Sequence, residues 1–470
     1  SSSSPPSSSS RLRRRRRKRG GGGSRSGPGP SSSPPGRRGR EYRVPPAFTV
    51  DLDAPPDKRW GAVADAYRST IPKLMKQTWK LLGLRRDEVQ GLAEHATFTV
   101  EEMLGAVDRK DILLEMKAFA SACGLQYGEL AALNMSYEMH AACTAIVAPT
   151  NGSGGVCLAR TLDWDLSPLV DITINVTFVR EGKVLYRGTT WAGYLGMLTA
   201  VHITGDFALA VNFREEPTPS ECVPLDQKSR SAWPVGILAR DVLETISSYS
   251  EASKRLQRAP LLSPAYFILA GTENRGCVIT RDPQGVCPAM ELLSSSLEGT
   301  ETKEMLPPSK ETATCSKEKG SERRKSRKSR KSRGKPSAPV SACGSWDERN
   351  ILVQANMDNW TRDPRRDTQM SLVRLKEARK LLFQSHASKS EGPRPSATKV
   401  SRWDETCLWK TLNTYPIWEE GYSIYGTIMF PSTGRLETRI FSPDPSAPKK
   451  KGAKTSRKRR GNSNVFNLKH

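Results

Sequence analysis

The sequence predicts an α+β fold, with sheets covered on the outside by helices, and two observations predict it. Up to Ala142 the apolar residues recur at helical spacing, and after Cys143 the period drops to two. With 470 residues, 36% of them hydrophobic, the chain can bury one large core or two smaller ones.

Residues 1–44 are Ser/Pro/Arg/Gly low complexity and are expected to be a disordered tail. "FTVDLDAPPDKRW" (48–60) begins the folded part, and residues 62–142 read as helical. There Ile71, Leu74, Met75, Trp79 and Leu82 share one helical face, with Lys73, Lys76 and Lys80 elsewhere. Beyond Cys143, "DITINVTF" (171–178) and "DFALAV" (206–211) alternate as half-buried strands do. "AYFILAG" (265–271) and "GCVITRD" (276–282) read as a hairpin turning at "TENR". Helices are expected at 233–258, 368–386 and 404–412, and strands at 350–355, 422–429 and 435–441. Residues 291–345 are Ser/Lys/Arg/Glu-rich and read as a disordered basic insert in a surface loop, which a fold tolerates because closure entropy grows slowly with length. The tail over 443–470 is expected to be disordered as well.

The net charge of +25 invites a nucleic-acid reading, so its location matters. Residues 1–40 hold twelve Lys/Arg and no acid, 316–336 hold eleven against two Glu, and 449–460 hold eight and no acid. These runs carry more positive charge than the whole chain, so the remainder is an ordinary, slightly acidic surface. No aromatic residues interleave with them as a stacking platform requires, and no specific nucleic acid is expected.

The nine cysteines include no CxxC pair and no Cys/His cluster of zinc spacing, so neither a metal nor a cofactor is expected. Four N-x-S/T sequons, at Asn134, Asn151, Asn175 and Asn359, lean towards a secretory route. No apolar run of about 18 residues predicts a membrane span. No signal peptide is visible, and the chain starts with Ser rather than Met.

The seam "EMHAACTAIVAPT" (138–150) places Cys143 where the helical text becomes strand. Three chemistries compete there. Cys143 is a small buried apolar residue, or half of a Cys–His pair with His202 or His386, or a nucleophile created by a chain break. In the third case, cleavage of the Ala142–Cys143 bond gives Cys143 a free α-amine beside its own thiol. That amine serves as the general base, so no histidine is needed. An unperturbed α-amine titrates at about 7.7–8.0, and a nearby guanidinium disfavours its protonated form. Arg160 is placed to supply that charge, on "CLARTLDWD" (157–165), which would pair with 143–148 through the turn at 150–155. Asp163 would orient the amine or Arg160, unless the two are simply a surface ion pair.

"CTAIVAP", "ARTLDWD", "GTTWAGYLGMLTAV" (188–201), "SPAYFILAGTENRGCVITRD" (263–282) and "QANMDNW" (354–360), in that order, resemble the family of acid ceramidase and N-acylethanolamine-hydrolysing acid amidase. "LDAPPDKRW" (52–60) resembles the start of its mature chain. The likeness covers roughly 46–290 and 346–442, and "AGYLGMLT" and "PAYFILAG…GCVITRD" look closer to acid ceramidase. The resemblance implies a four-layer αββα N-terminal-nucleophile hydrolase. It implies a proenzyme cut before Cys143 into a helical α chain (45–142) and a catalytic β chain (143–442), associated as a heterodimer. The substrate implied is a lipid amide, most closely ceramide, with N-acylethanolamine as the alternative. A non-catalytic lipid-binding relative is the rival. By residue match, Cys143 is the nucleophile, Asn356 an oxyanion-hole donor, and Arg160 and Asp163 contact the Cys143 amine and the substrate. Arg365, in "DPRRD" (363–367), matches the functional member of a paired arginine. The resemblance also carries an acidic lysosomal compartment, contact with a membrane surface and a lipid-delivering activator protein. "WAGYLGML" (191–198) is a candidate wall of an acyl channel.

This sequence departs from the family in three places. Phe213 stands where the family has a Glu that aids autoprocessing, with Glu215 and Glu216 close by. The stretch between Trp360 and Arg365 is short, so Arg362 and Arg366 compete with Arg365. No cysteine precedes Cys123, so the family's interchain disulfide is not expected.

Overall fold

The computed structural model describes residues 41–81, 83–138, 141–150, 155–215, 232–283, 285–286, 290–291, 351–359, 367, 369–387 and 403–442. The terminal tails, nearly all of the basic insert, Asn151, Glu216, Arg362, Arg365 and Arg366 lie outside these residues.

Two short strands come first, β1 (Tyr42–Arg43) and β2 (Ala47–Asp51). Five helices follow: α1 (Gly61–Tyr67), α2 (Ile71–Leu81), α3 (Arg86–Ala106), α4 (Lys110–Ala122) and α5 (Tyr127–Met135). One turn of 3-10 helix, Ser136–Glu138, leads towards β3 (Ala142–Pro149). Next come β4 (Val156–Asp163), β5 (Thr173–Arg180), β6 (Lys183–Trp191), β7 (Thr199–His202) and β8 (Phe207–Phe213). Helices α6 (Val235–Thr245) and α7 (Tyr249–Arg258) separate these from β9 (Ala265–Gly271), β10 (Gly276–Asp282), β11 (Gly285–Val286) and β12 (Met290–Glu291). The rest is β13 (Leu352–Gln354), α8 (Ser371–Ala387), α9 (Glu405–Leu412), β14 (Ser423–Phe430) and β15 (Arg435–Phe441).

The strands make two sheets. One runs β1-β15-β14-β4-β3-β13, and the other β11-β10-β9-β8-β7-β6-β5-β2, with β12 also pairing β10. Ala145, Val147, Val156 and Leu158 of the first sheet meet Val201, Ala208, Ala210 and Ile268 of the second in a shared apolar layer. On the outer side of the first sheet, Ile146, Ala148, Cys157 and Ala159 pack under Leu375, Ala378 and Leu382 of α8 and Leu408 and Leu412 of α9. The outer side of the second sheet is covered by α1–α7. The order is therefore helix, sheet, sheet, helix, the four-layer αββα arrangement of the sequence expectation. Strands inside such a stack are covered on both faces, which is why β3 and β4 are buried along their whole length.

The helical segment before Cys143 forms one flank of this stack. Ile71, Leu74, Met75 and Trp79 of α2 are buried while Lys73, Lys76 and Lys80 are exposed, as the spacing predicts. Helix α5 crosses α3 at Gly128, where a Cβ would fall 2.2 Å from the Ala93 carbonyl oxygen, so only glycine allows the approach. A buried ionic cluster ties this flank to the chain after Cys143. Arg240 of α6 donates to both carboxylate oxygens of Glu115 of α4, at 2.6 and 2.8 Å, and to Glu244 at 2.6 Å. Trp60 and Arg59 donate to the same Glu115, each at 2.8 Å, while Arg109 reaches Glu244 at 2.6 Å. Burial pushes the Glu244 carboxyl up, but Arg240 and Arg109 together hold it below the usual range.

Some expectations are corrected. The helix at 233–258 is two helices, because the backbone turns extended at Ile246 and Ser248 caps α7 by accepting the Glu251 N–H. Strands β2 and β6 were not anticipated, and β2 pairs in parallel with β5 across the seam. Asn134 is buried, its Nδ2 donating to the Leu130 and Gly193 carbonyls and its Oδ1 accepting the Leu195 N–H, so this sequon is a structural bracket.

Candidate active site

Cys143 is the second residue of β3, fully buried, between β4 and β13. Antiparallel pairing with β4 sets Ala142 against Asp163, Cys143 against Leu162 and Ala145 against Arg160. Side chains alternate faces along a strand, so the two-residue offset returns Arg160 to the same face as Leu162. From there its Nη2 donates to the Cys143 Sγ at 2.7 Å. The rest of the guanidinium is occupied as well. Nη1 donates to the Leu198 carbonyl at 3.0 Å and Thr199 Oγ1 at 2.8 Å, and Nε to the Thr161 carbonyl at 3.3 Å. Burial pushes the Cys143 thiol up, Arg160 pulls it back, and Asp163 pushes it up again.

Asn356 follows β13, whose register sets Gln354 against Ala145. Continued by two residues, that register brings Asn356 alongside Cys143. Its Oδ1 accepts the Cys143 N–H at 2.8 Å. Its Nδ2 donates to the Ala141 carbonyl at 3.3 Å and the Phe213 carbonyl at 2.7 Å. Position 213 thus serves the site through its backbone, and the neighbouring Glu215 N–H donates to the Asn356 carbonyl at 2.7 Å.

Asp163 accepts from Ser423 Oγ at 2.6 Å and Thr161 Oγ1 at 3.3 Å. Burial pushes its carboxyl up to about 6, against the pull of Arg374, Ser423 and Arg160.

Arg374 is the residue that the sequence reading missed. It lies on α8, whose first turn is capped by the Asp367 carboxylate accepting the Ser371 and Leu372 N–H groups. Its Nη2 donates to Asn356 Oδ1 at 2.7 Å, its Nη1 to the Cys143 carbonyl at 2.5 Å and Thr144 Oγ1 at 2.9 Å, and it faces Asp163 at 3.6 Å. A signal was present. Ser371, Arg374, Leu375, Ala378 and Leu382 form the buried stripe of α8, and an arginine in such a stripe needs a buried partner. The structure therefore brings together Cys143, Arg160, Asp163 and Asn356, while Arg365 lies outside the described residues.

The structure bears on two of the sequence alternatives. Asp163 turns to Ser423 and Arg374, so it does not form a surface ion pair with Arg160. His202 is a core residue: its Nδ1 accepts the Gly205 N–H at 2.6 Å, its ring stacks on Phe207, and burial pulls it down to about 4. The sulfur instead has Arg160 and the Tyr137 hydroxyl as neighbours. The His386 side chain lies outside those described. "WAGYLGML" is buried core, with Trp191 edge-on to Trp164 and Tyr194.

The chain is 32% identical to the N-acylethanolamine-hydrolyzing acid amidase of Caenorhabditis elegans, over 51% of its own length and 68% of that protein. It is 30% identical to the acid ceramidase of Homo sapiens, over 56% of its length and 69% of that protein. The chain belongs to the family of acid ceramidase and N-acylethanolamine-hydrolysing acid amidase. Members of this family are hydrolases of linear amide C–N bonds. Residues 43–94 match the family model described as the beta subunit of N-acylethanolamine-hydrolyzing acid amidase, a segment on the N-terminal side of Cys143 that is named the α chain above. Among solved structures the chain is similar to the Caenorhabditis elegans amidase ortholog, at 23% identity over 64% of this chain and 100% of that one, with a TM-score of 0.43.

Proposed function

We propose that the chain cuts itself before Cys143 and then works as a cysteine amidohydrolase on a lipid amide. The observation that carries this reading is the grip of one side chain on both sides of Ala142. Asn356 accepts the Cys143 N–H and donates to the Ala141 carbonyl. In self-cleavage the Cys143 sulfur attacks the Ala142 carbonyl carbon, the C–N bond breaks, and the thiol proton ends on the departing Cys143 nitrogen. Water hydrolyses the resulting thioester, which leaves a carboxylate on Ala142 and a free amine and thiol on Cys143.

Turnover reuses these groups. The Cys143 amine takes the thiol proton as sulfur attacks the substrate carbonyl, and returns a proton to the leaving nitrogen. Arg160 favours the thiolate and disfavours the protonated amine. Withdrawal of the residues before Cys143 frees the Asn356 Nδ2 from the Ala141 carbonyl to donate to the developing oxyanion, a contribution of about 3–4 kcal/mol. Arg374 and the Cys143 nitrogen both donate to Asn356 Oδ1, which fixes the amide with its NH2 edge towards the reacting carbonyl. Asp163 holds Arg374 and faces the departing Ala142. Water then releases the acyl group as a free acid.

Ceramide is the substrate that we favour, from the acid ceramidase-like character of "AGYLGMLT" and "GCVITRD". The similarity to the nematode amidase supports N-acylethanolamines as the second reading. An acidic lysosomal compartment, an α/β heterodimer, a lipid-delivering activator and contact with a membrane surface belong to the same proposal. Exposed Phe98 and Leu81, with Lys80 beside Leu81, support the last of these. The test is intact-mass and N-terminal analysis after incubation at acidic and neutral pH, with Cys143→Ala alongside, followed by assays on ceramide and an N-acylethanolamine. A fragment beginning at Cys143, absent from the mutant, is expected. A chain that stays whole under every condition points instead to a non-catalytic lipid-binding relative, with Phe213 the first residue to revert to Glu.

A further inference from the structure

Tyr137 lies six positions before Cys143, on the far side of the proposed cut. Its ring is fully buried and edge-on to Trp164, with centroids 5.7 Å apart. Its hydroxyl donates to the Val211 carbonyl at 2.9 Å, and the same oxygen sits 3.7 Å from the Cys143 Sγ. The residues on either side of it in the chain are bolted to the part after Cys143. Asn134 is bonded to Gly193 and Leu195, and the Glu138 carboxylate accepts the Val235 N–H at 2.8 Å and the Ser263 hydroxyl. These anchors lie outside the cut bond and hold Tyr137 where it is after cleavage.

We infer that Tyr137 is a catalytic residue, a hydrogen-bond donor to the Cys143 thiolate supplied by the upstream fragment, so that the cleaved enzyme builds its active centre from both fragments. This rests on the self-cleavage reading. While the thiol is neutral, its S–H points at the Tyr137 oxygen, whose own proton is given to Val211. When the thiolate forms, the Tyr137 O–H turns from the Val211 carbonyl to the sulfur and becomes the second donor beside Arg160. Both donors favour the anion, against burial. Tyr137 makes no bond to the substrate and keeps its proton throughout.

The experiment compares the full chain with Tyr137→Phe, and with 3-fluorotyrosine at position 137, by intact mass, by thermal melting and by the acylation burst on a fluorogenic fatty-acyl amide across pH. The Phe variant is expected to be cleaved before Cys143, with KM unchanged and kcat down about tenfold. The rising limb of its pH profile is expected to move up by about half a unit to one unit. The more acidic fluorophenol moves that limb the other way, and keeps the test alive where Phe does not fold. Lower melting alone, with a profile that superimposes on wild type in a cleaved chain, overturns the role of Tyr137 and leaves self-cleavage standing. A wild-type chain that is never cut overturns both.

Discussion

The Asn356 side-chain oxygen accepts the backbone N–H of Cys143 at 2.8 Å, so the nitrogen of the proposed nucleophile is already fixed in the uncut chain. The amide end of the same side chain already holds the carbonyl of Ala141. One residue thus serves the uncut chain and, in the proposed enzyme, the substrate.

Asn356→Ala is expected to slow both cleavage and turnover. In protein that has been cut, kcat should fall by about a hundred- to a thousandfold, the cost of one oxyanion donor. Burst kinetics on a fatty-acyl amide, with cleavage followed by gel, check this. A variant that cuts and turns over normally removes Asn356 from the mechanism.

Arg374→Met should slow cleavage and turnover more than Arg365→Met does. Arg374 fixes Asn356 and faces Asp163 from the buried side of α8, and its loss leaves the carboxylate without that partner. Removing one member of a buried pair also costs about 3–5 kcal/mol in stability. Arg374→Lys should recover part of the stability and little of the rate, because one ammonium cannot span Asn356, Thr144 and the Cys143 carbonyl. The reverse ranking of the two arginines would return the role to Arg365.

Two buried groups should tilt stability with pH in opposite senses, and Cys143→Ala protein holds the chain whole for the measurement. Asp163 titrates at about 6 in the fold, above the usual carboxylate. Its contribution is present below pH 4 and is lost as pH rises through 6. His202 titrates at about 4 in the fold, below the usual imidazole. Its contribution is present above pH 6.5 and is lost as pH falls through 4. Each is worth roughly 3 kcal/mol across its window. Between pH 7 and 4, Asp163→Asn should therefore lose more stability than its parent, and His202→Gln should lose less. Urea unfolding at three pH values reads both slopes.

Arg240→Met should loosen the join between the two parts of the chain. It leaves Glu115 and Glu244 buried with fewer partners, at a cost of about 3–5 kcal/mol. In wild type, Arg240 and Arg109 hold the Glu244 carboxyl below the usual range, which favours its charged form and the join in acid. After cleavage the two fragments of wild type should co-elute on size exclusion at pH 4.5, and those of the variant should separate.

Much of the site was legible because it is local in the chain. The change of period at Cys143 marks the seam, and a short turn to β4 brings Arg160 and Asp163 with it. The stripe of α8 marks Arg374 as a buried arginine but does not name its partners. Its partners, Cys143 and Asn356, are joined to it only by the packing of α8 on β13 and β3. The parallel pairing of β2 with β5 escaped for a related reason, since no turn links the two strands. The break at Ser248 is legible in the sequence. A serine three residues ahead of a glutamate is a helix-start signature, and it cuts the expected helix in two.

Strands β1 and β2 lie at the margins of different sheets, β1 beside β15 and β2 beside β5. Both belong to the piece that self-cleavage would sever. That piece is thus a selvedge sewn along two raw borders of the larger half. Stripped of it, the larger half would present unpaired N–H and C=O rows on β5 and β15 to any passing strand, an invitation to polymerise. On the self-cleavage reading, severing the chain activates the protein, but parting the pieces would ruin it.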